Sequence, residues 1–319
     1  MKKYLIFYHF EDNDGVLSAS IIYDYLIRNN LAKSDSIELR GVNYNMLDKL
    51  SKSDEMNHLG ENYQYCYMTD ISFDDFKDML RLVGQFGAYF TWIDHHKPII
   101  EASKAHGFSD VRGLRDTRHS AIYNAFRYLY PDKEVPELYK LLSAHDSWSF
   151  KEEGYGFEQV CNINKAFTFE YNLDTNACIK VVQDVMENGN YTTSKIVPHL
   201  YTVGALLNEY EDRRYESILK YGDLGWKVNG RKAVAMFVQG QTSSRVFKSC
   251  PHGVLNGIVF KRNPDSTWTI SLYNTGSDDH SFNCGEYMKE YYHGGGHEGA
   301  AGCTITQEQF IKLLDSKSL

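Results

Sequence analysis

The sequence predicts an α/β protein: an N-terminal domain built on a parallel sheet with helices on both faces, joined by a linker helix to a smaller C-terminal α+β domain. The chain has 319 residues, more than one hydrophobic core usually organises. Strand-like and helix-like segments alternate through about the first 150 residues, as in parallel sheets covered by helices. Hydrophobic residues make up 42% and charged residues 24%, which indicates a folded chain and excludes a disordered one.

The first domain, assigned to residues 1–193, begins with a short apolar strand and continues as strand–helix pairs. Its predicted strands are YLIFYH, SIELRGVNY, YQYCYMTD and AYFTWIDHH. Helices are expected after Gly15, around NMLDKLSK and over SFDDFKDMLRLVGQF, where Ser72 and Asp75 resemble a capping box. After the fourth strand we expect a loop, followed by helices at HSAIYNAFRYLY and PELYKLLSAHD. This alternation favours a parallel sheet buried on both faces.

A linker helix is assigned to residues 194–224 and a second domain to residues 225–319. The linker is amphipathic and contains Pro198, which must lie near its start. Strands are predicted at RKAVAMFVQG, GVLNGIVFKR, TWTISLYN and AAGCTI, with a short helix at GEYMKEYY. A final helix should begin at Thr306, because Gln309 three residues later completes a capping box. This pattern is typical of a small α+β domain.

Charge and cysteine content narrow the function classes. The formal net charge is −8, so the chain is not expected to bind long duplex DNA unless metal ions supply positive charge. From Gly225 onward ten Lys and Arg residues accompany eight Asp and Glu residues, a net +2, which leaves −10 for the preceding part. The six scattered cysteines form no C-x-x-C motif, which predicts free thiols rather than disulfides or structural zinc.

The sequence contains no apolar run long enough for a membrane span, which needs about 18 residues. Acidic residues follow the first apolar run directly, where a signal peptide would need its apolar region to continue. We therefore expect a mature N-terminus, no membrane partner and a cytoplasmic location.

Acidic and histidine residues follow three of the predicted strands. In an open parallel sheet, ligands bind beyond the carboxyl ends of the strands, so these side chains should meet at one edge. They are His9, Asp12, Asp14, Asp70, Asp94, His95 and His96. A single Asp or His at a strand end is usually a helix cap or a surface group, but this combination on three strands predicts a binding site.

Several carboxylates at one place repel one another unless positive charge is supplied, and divalent metals supply it. Mixed carboxylate and imidazole ligands suit Mn²⁺ better than Zn²⁺, which prefers thiolates, or Ca²⁺, which avoids nitrogen. The candidates are too many for one ion. We therefore expect two Mn²⁺ ions about 3.5–4 Å apart, with Mg²⁺ or Co²⁺ as substitutes, as in enzymes that activate water against phosphoryl groups.

These motifs resemble those of the DHH phosphoesterase superfamily. The resemblance lies in His9, Asp12 and Asp14 followed by Gly15 and Ser18, then Asp70, Asp94-His95-His96 and Asp146 in LLSAHDSWS. The segment GGGHEGAAG from Gly294 to Gly302 looks like the glycine-rich signature of the C-terminal domain associated with that superfamily. The match spans nearly the whole chain in the expected order and resembles the nano-RNase (oligoribonuclease-like) and bifunctional phosphatase branch.

The resemblance implies a role for each residue. His9 and Asp12 would bind the first metal ion, with Glu11 as the alternative to Asp12. The second ion would be bound by Asp14, His95 and Asp146, and Asp70 would bridge the two. Asp94 would orient a neighbouring imidazole, and His96 would stabilise or protonate the leaving group; these two are the candidate catalytic residues.

The glycine-rich segment suggests substrate binding. Taken alone, it is also typical of a flexible hairpin or a helix C-terminus. Consecutive glycines allow backbone N–H groups to converge on an anion, and the resemblance assigns Gly294, Gly295, Gly296 and His297 to the far end of the substrate. Where the family often has an arginine, ISLYNTG offers Tyr273 and Asn274. Arg118, with Arg115 and His119 before a predicted helix, could bind a phosphate there.

The sequence thus predicts a Mn²⁺-dependent hydrolase that cleaves phosphodiester bonds of short oligonucleotides from an end; a homodimer is compatible with this interpretation. The alternatives in the same chemistry are a phosphatase or phosphodiesterase acting on 3′-phosphoadenosine phosphate or linear dinucleotides, and an exopolyphosphatase. A binding module without catalysis and an acidic metal-binding structural protein are the alternatives from other classes. The first would be favoured by loss of Asp14, Asp70 or His95, and the second does not explain the glycine-rich segment.

Overall fold

A computed structural model describes residues 2–106, 108–239, 244–247, 250, 253–275, 282–296 and 298–319. The chain forms two compact units, Met1–Asn208 and Glu209–Leu319. The division falls within the long helix Asn190–Leu219, which contains Pro198. The sequence-based domain boundaries after residues 193 and 224 remain a prediction. None of the helices in the described ranges is long and apolar enough to cross a membrane.

The first unit alternates strands and helices up to its fourth strand and is helical from there on. Its elements in chain order are β1 (Tyr4–His9), α1 (Asn13–Arg28), β2 (Ile37–Val42), α2 (Tyr44–Ser51), α3 (Glu55–Asn62), β3 (Tyr65–Thr69), α4 (Phe76–Phe86), β4 (Phe90–Ile93), α5 (Lys97–Ala105), α6 (Ala121–Leu129), α7 (Glu137–Asp146), α8 (Phe157–Tyr171), α9 (Thr175–Asn188) and the first part of α10 (Asn190–Leu219).

The four strands form a parallel sheet in the order β2-β1-β3-β4. Successive residues of a strand point to opposite faces, so each strand contributes to two cores. Tyr4 and Ile6 of β1 face a core shared with α1 and α6 to α9. Leu5 and Phe7 face the other core, which α2 to α5 cover. This arrangement confirms the predicted α/β fold with helices on both faces of a parallel sheet.

The second unit is a smaller mixed domain, as predicted. Its elements are β5 (Asp223–Val228), β6 (Arg231–Val238), β7 (Asn256–Arg262), β8 (Trp268–Asn274), α11 (Cys284–Tyr292), β9 (Gly295–Gly296), β10 (Ala300–Ile305) and α12 (Gln307–Ser316). The strand order is β5-β6-β7-β8-β10-β9, with β6 and β7 parallel and the other pairs antiparallel. Ile270 and Leu272, two residues apart in β8, are fully buried.

Local signals predicted some helix ends correctly and others wrongly. α12 begins with the predicted capping box, in which Thr306 and Gln309 bond each other's backbone N–H groups. α4 begins later than predicted: Asp75 is its N-cap and accepts a hydrogen bond from Lys77 N, while Ser72 lies buried before the helix. The predicted loop after β4 contains the helix α5.

Candidate metal centre

The carboxyl ends of β1, β3 and β4 lie side by side, because these strands are neighbours in a parallel sheet. The chain runs from β1 outward to β2 and then crosses back past β1 to form β3. The order in which strands are added therefore reverses between β1 and β3, while all strands stay parallel. Open α/β sheets bind ligands at such a reversal. His9 ends β1, Asp70 follows β3 and Asp94 follows β4. All three predicted strand ends therefore meet at one edge.

A tight turn between β1 and α1 positions the first group of side chains. Asp12 is the N-cap of α1 and accepts a hydrogen bond from Gly15 N at 2.9 Å. Its other oxygen lies 2.8 Å from His9 Nδ1. A Cβ atom on Gly15 would lie 2.0 Å from the carbonyl oxygen of His9, so this close packing of helix on strand requires glycine. Asp12 is therefore a helix cap that also holds an imidazole.

The pKa values of these two groups shift in opposite directions. Burial alone would lower the pKa of His9, but its hydrogen bond to Asp12 and the charges of Asp12 and Glu11 raise it. Burial alone would raise the pKa of Asp12, but the hydrogen bond and charge of His9 lower it. Glu11 Oε2 lies 3.5 Å from His9 Nε2, so the structure places this alternative ligand on the other ring nitrogen.

Asp14 lies in the first turn of α1 and is anchored by the N-terminus of α6. Its two oxygens accept hydrogen bonds from Ser120 Oγ, from Ala121 N at 2.7 Å and from Ile122 N at 2.8 Å. A carboxylate offers about four acceptor positions, so these three donors leave about one. Oδ2 of Asp14 lies 3.7 Å from His95 Nε2, so the remaining position is available on the side of that imidazole.

Asp70 lies at the centre of the cluster in an unusual backbone conformation. Its φ angle is +57°, a region that aspartate adopts more readily than most residues. Oδ1 lies 3.3 Å from His95 Nε2, and Oδ2 lies 3.9 Å from His9 Nδ1. Oδ2 is buried and accepts no hydrogen bond from the described residues. Burial, followed by the charges of Asp14, Asp12 and Asp146, raises the pKa of Asp70 well above its usual value.

His95 directs one ring nitrogen at three carboxylates. Its Nε2 atom lies 3.3 Å from Asp146 Oδ2, in addition to its contacts with Asp14 and Asp70. Burial lowers the pKa of His95, despite the nearby negative charges. A neutral imidazole has a lone pair available for a metal ion. Asp146 is the last residue of α7, and burial together with Asp14 and Asp12 raises its pKa well above the usual value.

Among the described residues there are three sets of ligand atoms, and within each set the atoms lie within 4.8 Å of one another. The sets are His9, Asp12 and Asp70; Asp14, His95 and Asp146; and Asp70, His95 and His96. The first two correspond to the two predicted metal sites. Asp70 and His95 each occur twice, so the sets form one continuous cluster. The structure thus brings together all six predicted metal ligands within the first unit.

Asp94 holds the backbone N–H groups of the following two residues and the side chain of the second. Its Oδ1 atom accepts hydrogen bonds from His95 N at 2.7 Å and His96 N at 3.1 Å, and it lies 2.7 Å from His96 Nδ1. Trp92 Nε1 donates to Oδ2 at 2.9 Å. Asp94 therefore orients His96, whose Nε2 atom remains for another partner. Burial alone would lower the pKa of His96, but Asp94 raises it to about 9.

The arginines before α6 differ in their surroundings. Arg118 is 81% exposed, and its guanidinium forms two hydrogen bonds to Asp116, so its role in phosphate binding remains a prediction. Arg115 donates to the carbonyl oxygens of Trp92 at 3.0 Å and Val111 at 2.7 Å, and it lies over the Trp92 ring. Arg115 therefore supports the chain around β4.

The predicted substrate loop is explained in part by strand packing. A Cβ atom on Gly294 would lie 2.2 Å from the carbonyl oxygen of Gly302, and Gly296 has a φ angle of +145°. Both glycines are thus required where β9 lies against β10. Gly295 faces open space and is exposed. His297 lies outside the described residues, so anion binding by this loop remains a prediction.

Sequence reasoning missed several residues that support the cluster. Ser120 is fully buried and donates to Asp14, and Asn124 is fully buried and donates to the carbonyl oxygen of Asp94 at 3.2 Å. Ser120 precedes α6, and serine is common at a helix N-cap. That local signal predicted a helix start but could not indicate that the hydroxyl group would contact Asp14.

No protein-family model matches the chain, and no curated protein matches it. Among solved structures, a pGpG-specific phosphodiesterase from Vibrio cholerae is 12% identical with a TM-score of 0.45 over 99% of this chain and 97% of that one. An exopolyphosphatase-related protein from Bacteroides fragilis is 15% identical with a TM-score of 0.47 over 99% and 91%. Exonuclease RecJ bound to manganese is 12% identical with a TM-score of 0.48 over 99% and 89%. With TM-scores below 0.5, these similarities do not establish the family of this chain, so its family membership stays a prediction.

Proposed function

We propose that the chain is a two-metal phosphoesterase of the DHH type, which uses Mn²⁺ to hydrolyse phosphodiester bonds of short oligonucleotides from an end. The observation that carries the proposal is the pair of ligand sets that share one continuous cluster through Asp70 and His95. Phosphoesterases with two metal ions need ligands for two ions held about 3.5–4 Å apart. The cytoplasmic location remains a prediction.

The donor set fits divalent metal ions. Asp70 is 2% exposed, and one of its oxygens has no hydrogen-bond donor among the described residues. A buried carboxylate oxygen without a partner is costly unless positive charge compensates it. The neighbouring ligands are carboxylates and imidazoles with no thiolate. Carboxylates suit Mg²⁺ and Mn²⁺, and ligands without thiolate are unlike those of a Cys-rich structural zinc site.

His9, Asp12 and Asp70 would hold one ion, and Asp14, His95 and Asp146 the other, with Asp70 between them. When bound, the ions supply Lewis acidity that activates water and neutralises charge on a phosphoryl group. The protein fixes the ligands beforehand: Asp12 is tied to Gly15 N, and Asp14 is tied to the N-terminus of α6. Preorganised ligands of this kind reduce the rearrangement needed when substrate binds.

Asp94 and His96 would act on the leaving group. Asp94 holds His96 Nδ1 at 2.7 Å, so Nε2 is the atom that can donate a hydrogen bond to a departing oxygen. The His96 side chain is 35% exposed, which allows contact with a bound substrate. In this role Asp94 is a positioning residue, and His96 is the catalytic residue.

A substrate panel tests the proposal. Purified protein with Mn²⁺ is incubated with a 5′-labelled dinucleotide, a longer oligonucleotide, 3′-phosphoadenosine phosphate and polyphosphate. Asp70→Ala and His95→Ala remove ligands, while Asp132→Asn changes an exposed acid as a control. We expect rapid mononucleotide release from the dinucleotide by the parent and the control only. Hydrolysis of only the small nucleotide or polyphosphate would reassign the substrate. No turnover of any substrate would refute the proposed phosphoesterase activity.

A further inference from the structure

We propose that Trp148 is a stacking surface for a nucleobase beside the metal cluster, so that the enzyme selects substrates that carry a base over inorganic polyphosphate. This inference rests on the proposed function and names the substrate class of the same site. Four observations carry it: position along the chain, exposure, backbone conformation and support from neighbouring rings.

Trp148 lies close to a metal-ligand candidate along the chain. Trp148 follows the metal-ligand candidate Asp146 by two residues, with Ser147 as the C-cap of α7 between them. Consecutive Cα atoms are about 3.8 Å apart, so the Cα atoms of Asp146 and Trp148 lie within about 7.6 Å of each other. In a nucleotide one sugar separates the phosphate from the base. A nucleotide with its phosphate at the cluster can therefore bring its base to the loop that carries Trp148.

The indole is exposed although aromatic neighbours surround it. Trp148 is 49% exposed, whereas Phe150 in the same loop is 7% exposed. A tryptophan that served core packing alone would be buried, as Trp92 and Trp226 are. The exposed fraction leaves an aromatic surface facing solvent in the loop that directly follows the metal-ligand candidate Asp146.

Neighbouring rings hold the indole in place. Trp148 lies stacked with Phe157, with ring centroids 6.0 Å apart and an angle of 28° between the planes. Phe150 contacts it at a centroid distance of 6.0 Å and an angle of 55°. Stacking platforms for bases combine an exposed aromatic face with a fixed position. The aromatic cluster supplies the fixed position.

The backbone at Trp148 is in the left-handed region, with a φ angle of +57°. Glycine usually occupies this conformation after a helix, and a large aromatic residue there is strained. Such strain persists where surrounding structure enforces it and is concentrated at functional sites. The loop is enforced by hydrogen bonds from Tyr155 N to the Phe150 carbonyl at 2.7 Å and between the Ser147 and Ser149 hydroxyl groups at 2.9 Å.

A second exposed ring lies beside the other metal set. Tyr44 is 38% exposed, and its ring centroid lies 6.0 Å from that of His9 at an angle of 55°. Each of the two metal sets thus has an exposed aromatic residue nearby. Inorganic polyphosphate offers nothing for these rings to contact, whereas nucleotides do.

The test compares binding of adenosine 5′-monophosphate and ribose 5-phosphate, which differ by the base, to the full-length protein with Mg²⁺ by isothermal titration calorimetry. Trp148→Ala should weaken binding of the nucleotide by about 5- to 150-fold, the change expected for one stacked base, and leave ribose 5-phosphate unchanged. Trp148→Phe should restore most of the affinity. Phe169→Ala, an exposed aromatic about 18 Å along α8 from Phe157, should change nothing.

Equal weakening of both ligands by Trp148→Ala, no weakening, or no binding of the nucleotide by the parent would overturn the inference. Binding that depends on Trp148 without hydrolysis of any substrate would support the stacking surface and refute the proposed activity. Hydrolysis that is insensitive to Trp148→Ala for every substrate would leave the activity standing and overturn the stacking surface.

Discussion

Replacing Asp70 by asparagine should stabilise the metal-free chain while weakening its stabilisation by metal. Asp70 is buried among Asp12, Asp14 and Asp146, and one of its oxygens has no donor among the described residues. The substitution keeps the shape of the side chain and removes one negative charge. Without metal the folded parent must either bear that charge or hold a proton on Asp70, whereas asparagine is neutral at every pH.

The size of this stabilisation follows from the distances between the ligand atoms. Ligand atoms of Asp70 and Asp12 lie within 4.8 Å of each other, and two unit charges at that distance repel by about 3.5 kcal/mol at an effective dielectric constant of about 20. Asp12 is 41% exposed and bonds His9, so screening reduces the gain. We expect the free energy of unfolding in EDTA to rise by about 1–3 kcal/mol.

The pH dependence of stability gives a second test of whether Asp70 destabilises the metal-free chain. Because the pKa of Asp70 is raised in the folded chain, the folded state holds a proton that the unfolded state releases above its ordinary pKa of 3.8. Stability of the metal-free parent should therefore fall as pH rises from that value towards the folded pKa. The variant lacks this contribution and should show a flatter profile.

The assay is urea unfolding in EDTA and in Mn²⁺, at several pH values, for the parent, Asp70→Asn and the exposed control Asp132→Asn. In saturating Mn²⁺ the parent and the control should gain about 2.7 kcal/mol per site at 100 times the dissociation constant, and the variant less. A variant that is less stable than the parent in EDTA, or that responds equally to Mn²⁺, would refute the electrostatic reasoning.

Three further predictions concern residues around the cluster and in the second unit. Ser120→Ala removes a donor to Asp14 and should lower Mn²⁺ affinity about 10- to 100-fold in calorimetry, while an unchanged affinity would show that the hydroxyl group is dispensable. Burial alone would raise the pKa of Asp116, but Arg118 lowers that pKa to about 2. The ionised Asp116 therefore contributes its full stabilisation above pH 3.8, and this stabilisation is lost as pH falls towards 2. Asp116→Asn should remove about 1 kcal/mol of that acid dependence in urea titrations, discounted for the exposure of Arg118; an unchanged profile would argue against the pair. Thr306→Ala should cost about 1 kcal/mol of unfolding free energy through its capping box, with Mn²⁺ affinity unaffected, and loss of that affinity would contradict the assignment of the metal site to the first unit.

The location of the cluster could be predicted because it follows from local sequence and one rule of topology. His9 ends an apolar strand, Asp70 and Asp94 directly follow apolar strands, and the carboxyl ends of parallel strands share one edge. Asp146 was different, since it ends a helix rather than a strand. Its place near His95 followed only from the resemblance to a known family.

The remaining features of the site depend on tertiary contacts. Ser120 and Asn124 reach Asp14 and Asp94 only because α6 lies against these strand ends. The sequence allowed Arg115 as a phosphate contact, and in the structure its long side chain donates to backbone carbonyl groups around β4. Neither outcome is encoded within a few residues of the chain. Pro98, in the first turn of α5, is a local helix signal in the segment that was expected to be a loop.

The number of metal ions bound tests the central claim most directly. Metal-free protein is titrated with Mn²⁺ by isothermal titration calorimetry, in parallel with Asp70→Ala. The two ligand sets predict two ions per chain for the parent and a loss of affinity at both sites in the variant, because Asp70 lies between them. A parent that binds no ion, or a variant that binds two as tightly as the parent, would contradict the account.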